Sequence, residues 1–427
     1  MLVIEFYLLI LMIAVFALAV FLGKFPIGVS LAISSIVGAL AAGYGIPLRH
    51  LVEGTFAYLD PILIIATAMI FMEIIKETGA LNEISRLIIL HLHDRPFWML
   101  SFITLFIMFP GMVTGLSTAA VLTTGAFVAP ALMHLGIPKI KVGSLIAMAA
   151  LYGMIAPPIN IPAMIIGGGV DMPYIGFELP LLFATIPLAI TTTMLLGYRH
   201  IQSVELETVL NNLPESRIDA HRIRLFLPIV VLIGLMLAAR IVPGKFTTLG
   251  IPLTFVIASL TAFRSGKPFS YFSVARKAIK DAMPVMGILA GIGMFIQIMT
   301  LIGVRGFLTV KTMQLPSFWL YIGIMVSLPL FGAISSYGAS YVLGVPFLLA
   351  LLGKNEIIVA SALTLIASLG DLMPTTALAG IFRAQIVGES NYFRMFKTCL
   401  PYAFITALYG IAMIIFANWL AKFLIIR

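Results

Sequence analysis

The chain repeats itself. Pro96-Phe97-Trp98 returns as Pro316-Ser317-Phe318-Trp319, and Gly115, Gly136 and Pro157 return as Gly332, Gly353 and Pro374, each shifted by 217 positions. Further upstream, Phe71 and Gly79 return as Phe295 and Gly303, each shifted by 224. Single matches arise easily in a sequence rich in Gly and Pro; an ordered series at a slowly drifting offset does not. A duplicated chain must fold as two related halves, and in a membrane protein such halves point first to a secondary transporter with its site where they meet.

The solvent for this fold is lipid. Of the 427 residues, 61% are hydrophobic and 10% charged, and the mean hydropathy is +1.13, far outside the range of soluble domains. The first apolar run, Leu8 to Leu22, has neither a basic segment before it nor a small-residue cleavage site after it, and reads as a retained span. The single Cys399 excludes an internal disulfide or a cysteine metal cage and reads as a packed thiol.

Apolar segments of roughly 17 to 25 residues can cross the hydrocarbon as helices. Crossings are expected near 4–22, 27–46, 58–75, 142–170 and 176–197, with counterparts near 225–241, 247–263, 282–302, 355–386 and 398–421. Between the third and fourth of each set lies an apolar stretch interrupted by small and hydroxyl residues, about 97–133 and 318–352, which reads as a re-entrant hairpin. The expected fold class is an all-α polytopic membrane protein of two inverted-topology repeats, each about five crossings plus one hairpin. The repeats span 1–198 and 225–427, and the only long polar stretch, 199–224, links them. Amphipathic pieces at Leu48 to Tyr58 and Tyr271 to Ala282 precede Pro61 and Pro284 and read as interfacial helices, natural arms if one part moves against another.

Five crossings per half is odd, so the second half enters the membrane upside down. Sorting the loops on that basis puts 17 of the 26 Lys and Arg on one face and 8 on the other, with Arg383 left in the membrane. The positive-inside rule makes the richer face cytoplasmic and both termini external, which in a bacterial-type inner membrane places them in the periplasm. The net charge of +9 is then an orientation signal rather than a nucleic-acid footprint, since the basic residues are spread over many loops.

Non-helical backbone at membrane depth is tolerated only where protein or a wet cavity satisfies it. The first hairpin tip, Gly111 to Thr118, and the second, Gly332 to Ser340, combine Gly for tight turns with Ser and Thr hydroxyls that ligate small cations or anions. Close helix packing is the plainer explanation for one such tip, but two at matched places favour a site. The fourth crossings break as well, at Gly153 to Asn160 and at Leu369 to Thr376, where Pro157 and Pro374 each remove a helix hydrogen bond. Unwound carbonyls there face a cation, and half-helix N-termini face an anion. Asn160, Thr375 and Thr376 follow the breaks with side-chain ligands.

Two ionisable groups stand out inside apolar sequence, where a charge costs roughly 2.5–3.5 kcal/mol on insertion scales. Asp371 beside the second break is a candidate Na⁺ ligand or proton carrier. Arg383 is a candidate partner for a substrate carboxylate, with snorkelling to the interface as its plain alternative. His91, His93 and Asp94 do not form a convincing metal set. The chain contains no phosphate-binding loop and no Gly-x-Ser-x-Gly elbow, and Gly167-Gly168-Gly169 lacks a dinucleotide-loop context.

Thr114-Gly115-Leu116-Ser117-Thr118, followed by Phe127-Val128-Ala129-Pro130-Ala131-Leu132 and Gly136, then Ile155-Ala156-Pro157-Pro158-Ile159, together with the matching breaks in the second half, resembles the large membrane subunit of the tripartite ATP-independent periplasmic (TRAP) transporters. The resemblance covers nearly the whole chain. It implies an elevator mechanism, in which hairpins and broken helices form a transport domain moving against a scaffold. It also implies import of an organic anion such as a dicarboxylate with Na⁺ as coupling ion and no other cofactor. Its implied partners are a small four-helix membrane subunit and a periplasmic solute-binding protein. The resemblance places one Na⁺ region at Thr114 to Thr118 with the break before Pro157 and a second at Ser335 to Gly338 with the break before Pro374. Taken with the break and ionisable residues singled out above, ion-binding is expected at Gly115, Ala156, Pro157, Gly338, Gly370, Asp371, Met373, Thr375 and Thr376. Substrate-binding falls on Thr114, Ser117, Thr118, Asn160, Ser335, Ser336 and Arg383. The first tip is poorer in Gly and Ser than the family's Gly-Gly-x-Ser-Gly-Ser pattern, and Asp371 departs from it, which leaves H⁺ coupling open.

Two rivals stand beside this reading. One is a self-sufficient anion or Na⁺/H⁺ exchanger of the same superfamily, needing no partners. The other is an intramembrane aspartyl protease, because Ser368-Leu369-Gly370-Asp371 approaches a Gly-x-Gly-Asp motif and Asp60 would supply the second carboxylate.

Overall fold

The computed structural model describes residues 4–201, 222–241, 250–264, 268–333, 336–373, 386–388 and 391–425. Among them every regular element is helical. Two outer helices, α1 (Ile4–Phe21) and α2 (Ile27–Ala41), lead to α3 (Leu48–Phe56), α4 (Leu59–Thr78) and α5 (Ala80–Leu92). The first hairpin is α6 (Pro96–Thr114), a short α7 (Ser117–Ala120), a π-turn (Val121–Gly125) and α8 (Ala126–His134). The broken crossing is α9 (Lys139–Ile155) and α10 (Ile161–Gly168), followed by α11 (Glu178–Gly197).

The same order returns in the second half. It runs α12 (Leu227–Ile241), α13 (Gly250–Leu260), a single long α14 (Tyr271–Leu301) in place of α3 and α4, and α15 (Val304–Met313). The second hairpin is α16 (Ser317–Gly332), α17 (Ser336–Ala339), a π-turn (Ser340–Gly344) and α18 (Val345–Ala350). Then come α19 (Glu356–Ser368), a 3₁₀ turn (Leu369–Leu372), α20 (Tyr392–Ile415) and a terminal α21 (Ala417–Leu424). Residues 374–385 of the interrupted crossing near 355–386, and 202–221 of the linker, lie outside the described residues.

Six described helices are long and apolar enough to cross a bilayer, seven if α3 and α4, bent by 44°, count as one. Ten crossings were expected from the hydropathy. The difference lies in α2, α12 and α13, which are shorter apolar helices, and in the broken crossings, whose described pieces α9, α10 and α19 are 17, 8 and 13 residues long. Two of the six are the arms of the expected first hairpin, Pro96–Thr114 and Ser117–His134, each long and apolar enough to span.

The repeated residues perform repeated backbone tasks. Gly79 and Gly303 both adopt left-handed conformations, φ 82° and 79°, and end the third crossing of each half before the connecting helices α5 and α15. Ala156 and Met373 share an extended conformation, φ −72° ψ 148° and φ −75° ψ 148°, immediately before the two break prolines. Proline disfavours helical geometry in the residue before it, and that is the local reason both helices stop there.

The hairpins match at a different register from the breaks. Gly332, offset by 217 from Gly115, occupies the role of Gly111. Gly111 packs against the Gly153–Met154 backbone of the first break and Gly332 against Gly370 of the second. Each hairpin thus lies on the broken helix of its own half, α6 on α9 and α16 on α19 and its 3₁₀ turn. Outside them, α14 packs on α2, α3 and α4, where glycines Gly28 and Gly54 meet Gly291 and Gly293 backbone to backbone. Close approach of this kind is how helices associate without a hydrophobic driving force. The amphipathic segment 271–282, expected as a separate interfacial helix, is continuous with α14 through Pro284. In the first half, Pro61 sits in the opening turn of α4, where its missing N–H needs no helical partner.

Candidate functional site

The first tip is set by Gly115, which takes a left-handed φ of 69° and donates its N–H to the Gly111 carbonyl at 2.7 Å, ending α6. Thr114 is fully buried. Its hydroxyl donates to the Pro110 carbonyl at 2.7 Å and accepts from the Leu116 N–H at 3.2 Å, so it shapes the turn. Beyond the turn, Ser117 directs its hydroxyl out of the hairpin and donates to Oδ2 of Asp371 at 2.8 Å. Thr118, half-buried, follows on α7.

The second tip meets the first directly. Tyr337, in α17, donates its hydroxyl to the Gly115 carbonyl at 3.1 Å across 222 positions of sequence. Ser336 is buried and its carbonyl accepts from the Ser340 hydroxyl at 2.8 Å, inside the π-turn. Gly338 lines a small apolar void with Phe331 and Val342, facing Phe16 and Leu31. Both π-turns directly follow their tips, and widened turns of this kind recur at functional sites.

The first break is held from three directions. Ile159 donates its N–H to the Met112 carbonyl at 3.2 Å, tying the unwound strand to the tip. Asn160 caps α10, accepting from the Ala163 N–H at 2.9 Å. Its amide nitrogen donates back to the Ile155 carbonyl at 2.9 Å and across to Thr364 of α19 at 3.2 Å. Ala156 and Pro157 are buried in the break, and the Pro157–Pro158 peptide is cis. The hydroxyl of half-buried Tyr174 donates to the Pro158 carbonyl at 3.3 Å; desolvation pushes its ionisation well above the usual tyrosine range, so it remains a donor. At the second break, Gly370 is buried against Gly332, Tyr392 donates to the Leu372 carbonyl, and half-buried Asp371 and Met373 lead to Pro374.

Ser117, Gly115, Tyr337 and Asp371 therefore form one cluster built from both halves, with Asn160 and Thr364 providing a second cross-half contact. Of the residues expected to bind, Ser335, Thr375, Thr376 and Arg383 lie outside the described residues. Tyr337 and Thr364 were not anticipated as bridging groups. Tyr337 offered a signal, an aromatic hydroxyl in the middle of a Gly- and Ser-rich tip; Thr364 offered none, because its role exists only through space. Asp60, proposed as partner of Asp371 in a protease pair, is exposed in the first turn of α4, whereas Asp371 bonds to Ser117. Among the described residues no group of three or more His, Cys, Asp and Glu side chains is placed to hold a metal ion.

The profile of the DctM component of tripartite ATP-independent periplasmic transporters matches residues 15–419. No curated protein matches the chain significantly by sequence. Among solved structures, the YdaH transporter of Alcanivorax borkumensis, a crystal structure with an unusual topology, is similar with a TM-score of 0.59. The two are 15% identical, over 87% of this chain and 89% of that one. At that identity the likeness is one of fold. The family, by contrast, is shown by the near-complete profile match: the chain is a multi-pass membrane protein belonging to the DctM family, the large component of TRAP-type transporters.

Proposed function

We propose that this chain is the large permease subunit of a system importing an organic anion, a C4-dicarboxylate or related carboxylate, with Na⁺ as the coupling ion. Its partners in this reading are a small four-helix membrane subunit and a periplasmic solute-binding protein, in an inner membrane with both termini periplasmic. The observation that carries the proposal is the meeting of the first tip with the second break at Ser117–Asp371 and with the second tip at Gly115–Tyr337, beside a first break tied to the same hairpin by Ile159 and Met112. Turn and break carbonyls, hydroxyls and one carboxylate supply oxygen ligands for Na⁺, and the Asn160-capped N-terminus of α10 supplies a positive pole for an anion. The matched order of elements supports two inverted repeats, with hairpins and broken helices moving as an elevator against α1–α4 and α12–α14.

Coupling makes the import energetically useful. Each net positive charge carried inward gains about 2.3 kcal/mol per 100 mV of membrane potential, so an anion accompanied by an excess of Na⁺ is concentrated. A second reading, a self-sufficient exchanger or a proton-coupled carrier, is favoured by the carboxylate of Asp371 at the junction. Uptake of labelled succinate and sialic acid into proteoliposomes separates them, under imposed Na⁺ or H⁺ gradients, with and without the candidate partners. Uptake requiring partners and a Na⁺ gradient supports the tripartite reading; uptake by the lone chain, or driven by H⁺ alone, overturns it.

A further inference from the structure

Arg305, in the first turn of α15, reaches into the first half of the chain and donates through Nη2 to the carbonyl of Gly169, the C-terminal cap of α10. A cation there meets otherwise unpaired carbonyls and the negative pole of the helix. The same guanidinium lies over the ring of Tyr341, 5.8 Å from its centroid. Tyr341 belongs to the π-turn of the second hairpin, and its ring edge closes on Gly169, where an added Cβ would stand 3.0 Å from Cε2. One side chain thus ties together α15, the second hairpin, and the far end of the half-helix whose near end is the Asn160 cap. Tyr58, from the junction of α3 and α4, is 5% exposed and within electrostatic reach of both Arg305 and Tyr341. Asp171, just beyond α10, is within reach of Tyr341.

The Tyr341 hydroxyl is buried in this cluster with no hydrogen-bond partner among the described residues. Its neighbour Arg305 offers only donors, so a hydroxyl proton has nowhere to go on that side. A buried, unpaired hydroxyl destabilises the conformation that contains it, and such groups mark strain that another conformation relieves. We propose that Arg305, Tyr341 and the Gly169 carbonyl form a conformational latch. Arg305 holds it closed, and the unpaired hydroxyl keeps the closed state shallow enough to open when the hairpin leaves α15 and the end of α10. The functional half of this statement rests on the moving-hairpin reading above.

Hydrogen exchange on the full-length chain in lipid nanodiscs tests the latch without any substrate, following amides of residues 164–169 and 341–344 in wild type, Tyr341→Phe and Arg305→Gln. Removing the orphaned hydroxyl should raise protection about fivefold or more, and removing the guanidinium should lower it by a similar factor. In proteoliposomes that carry succinate, Tyr341→Phe should lower the maximal uptake rate at least threefold while leaving half-saturation unchanged. Unchanged or reduced protection in Tyr341→Phe overturns the latch, as does raised protection with an unaltered uptake rate. Absence of succinate uptake by wild type bears on the proposed function, and the exchange result alone then decides the latch.

Discussion

Ser117 and Asp371, 254 positions apart, share a 2.8 Å hydrogen bond that joins the first hairpin tip to the second broken helix. A hydrogen bond to a charged group contributes about 1.5–3 kcal/mol. Replacing Ser117 with Ala leaves a half-buried carboxylate one donor short. Ser117→Ala is expected to lower the apparent melting temperature in detergent and to reduce uptake at least tenfold, whereas Ser117→Thr, which keeps the hydroxyl, retains most of both.

The tip-to-tip bond predicts a smaller effect. Tyr337→Phe removes only the hydroxyl that Gly115 accepts, a loss of about 0.5–1.5 kcal/mol for a neutral pair. The fold should persist, with the Na⁺ concentration for half-maximal uptake raised severalfold, because the Gly115 carbonyl loses the group that fixes its direction. An unchanged Na⁺ dependence would remove Gly115 from the ion site.

Hairpin seating predicts which glycines tolerate a methyl group. An added Cβ at Gly153 would stand 2.6 Å from the Met108 carbonyl oxygen, and at Gly332 2.7 Å from that of Ala367. Gly153→Ala and Gly332→Ala should each destabilise by about 1–3 kcal/mol, the usual range for overpacking. Gly306, helical in α15 with open space around it, should instead gain about 0.5–1 kcal/mol on substitution by Ala. Thermal unfolding of the three variants side by side measures the contrast.

Asn160 performs two separable tasks. Asp at this position can still accept from the Ala163 N–H, but cannot donate to Ile155 or Thr364 as the amide does. Loss of a helix N-cap costs about 0.5–2 kcal/mol. Because the site is fully buried, Asn160→Asp also sets a carboxylate against the Ile155 carbonyl, so it should destabilise at least as much as Asn160→Ala at neutral pH, while both reduce uptake, as uptake assays paired with melting curves would show.

Much of this was legible in the residues. Pro157 and Pro374 stop their helices through the residue before each, Ala156 and Met373, and that restriction is local, so sequence reveals it. Gly79 and Gly303 were visible as repeats for the same reason, since a left-handed turn selects glycine. The hairpin register was not: Gly332 matches Gly111 by what it packs against, and packing partners lie on another helix. Nor could hydropathy foresee that 271–282 would continue through Pro284, because α14 is braced along its length by α2, α3 and α4. The residues of the site were readable as tips and breaks. Their pairing, Ser117 with Asp371 and Asn160 with Thr364, depends on how two halves more than 200 positions apart dock, and no local pattern encodes it.

If both halves build one ion and substrate site, Ser117 and Asp371 act as a unit in transport, and a double-mutant cycle between them decides it. Na⁺-driven uptake would be measured for wild type, Ser117→Ala, Asp371→Asn and the double variant, each reconstituted with the partners. Residues that act as a unit lose function non-additively. The account predicts that the double variant is scarcely worse than the weaker single one. Losses that simply multiply, or an Asp371→Asn protein that transports at the wild-type rate with unaltered Na⁺ dependence, would contradict it.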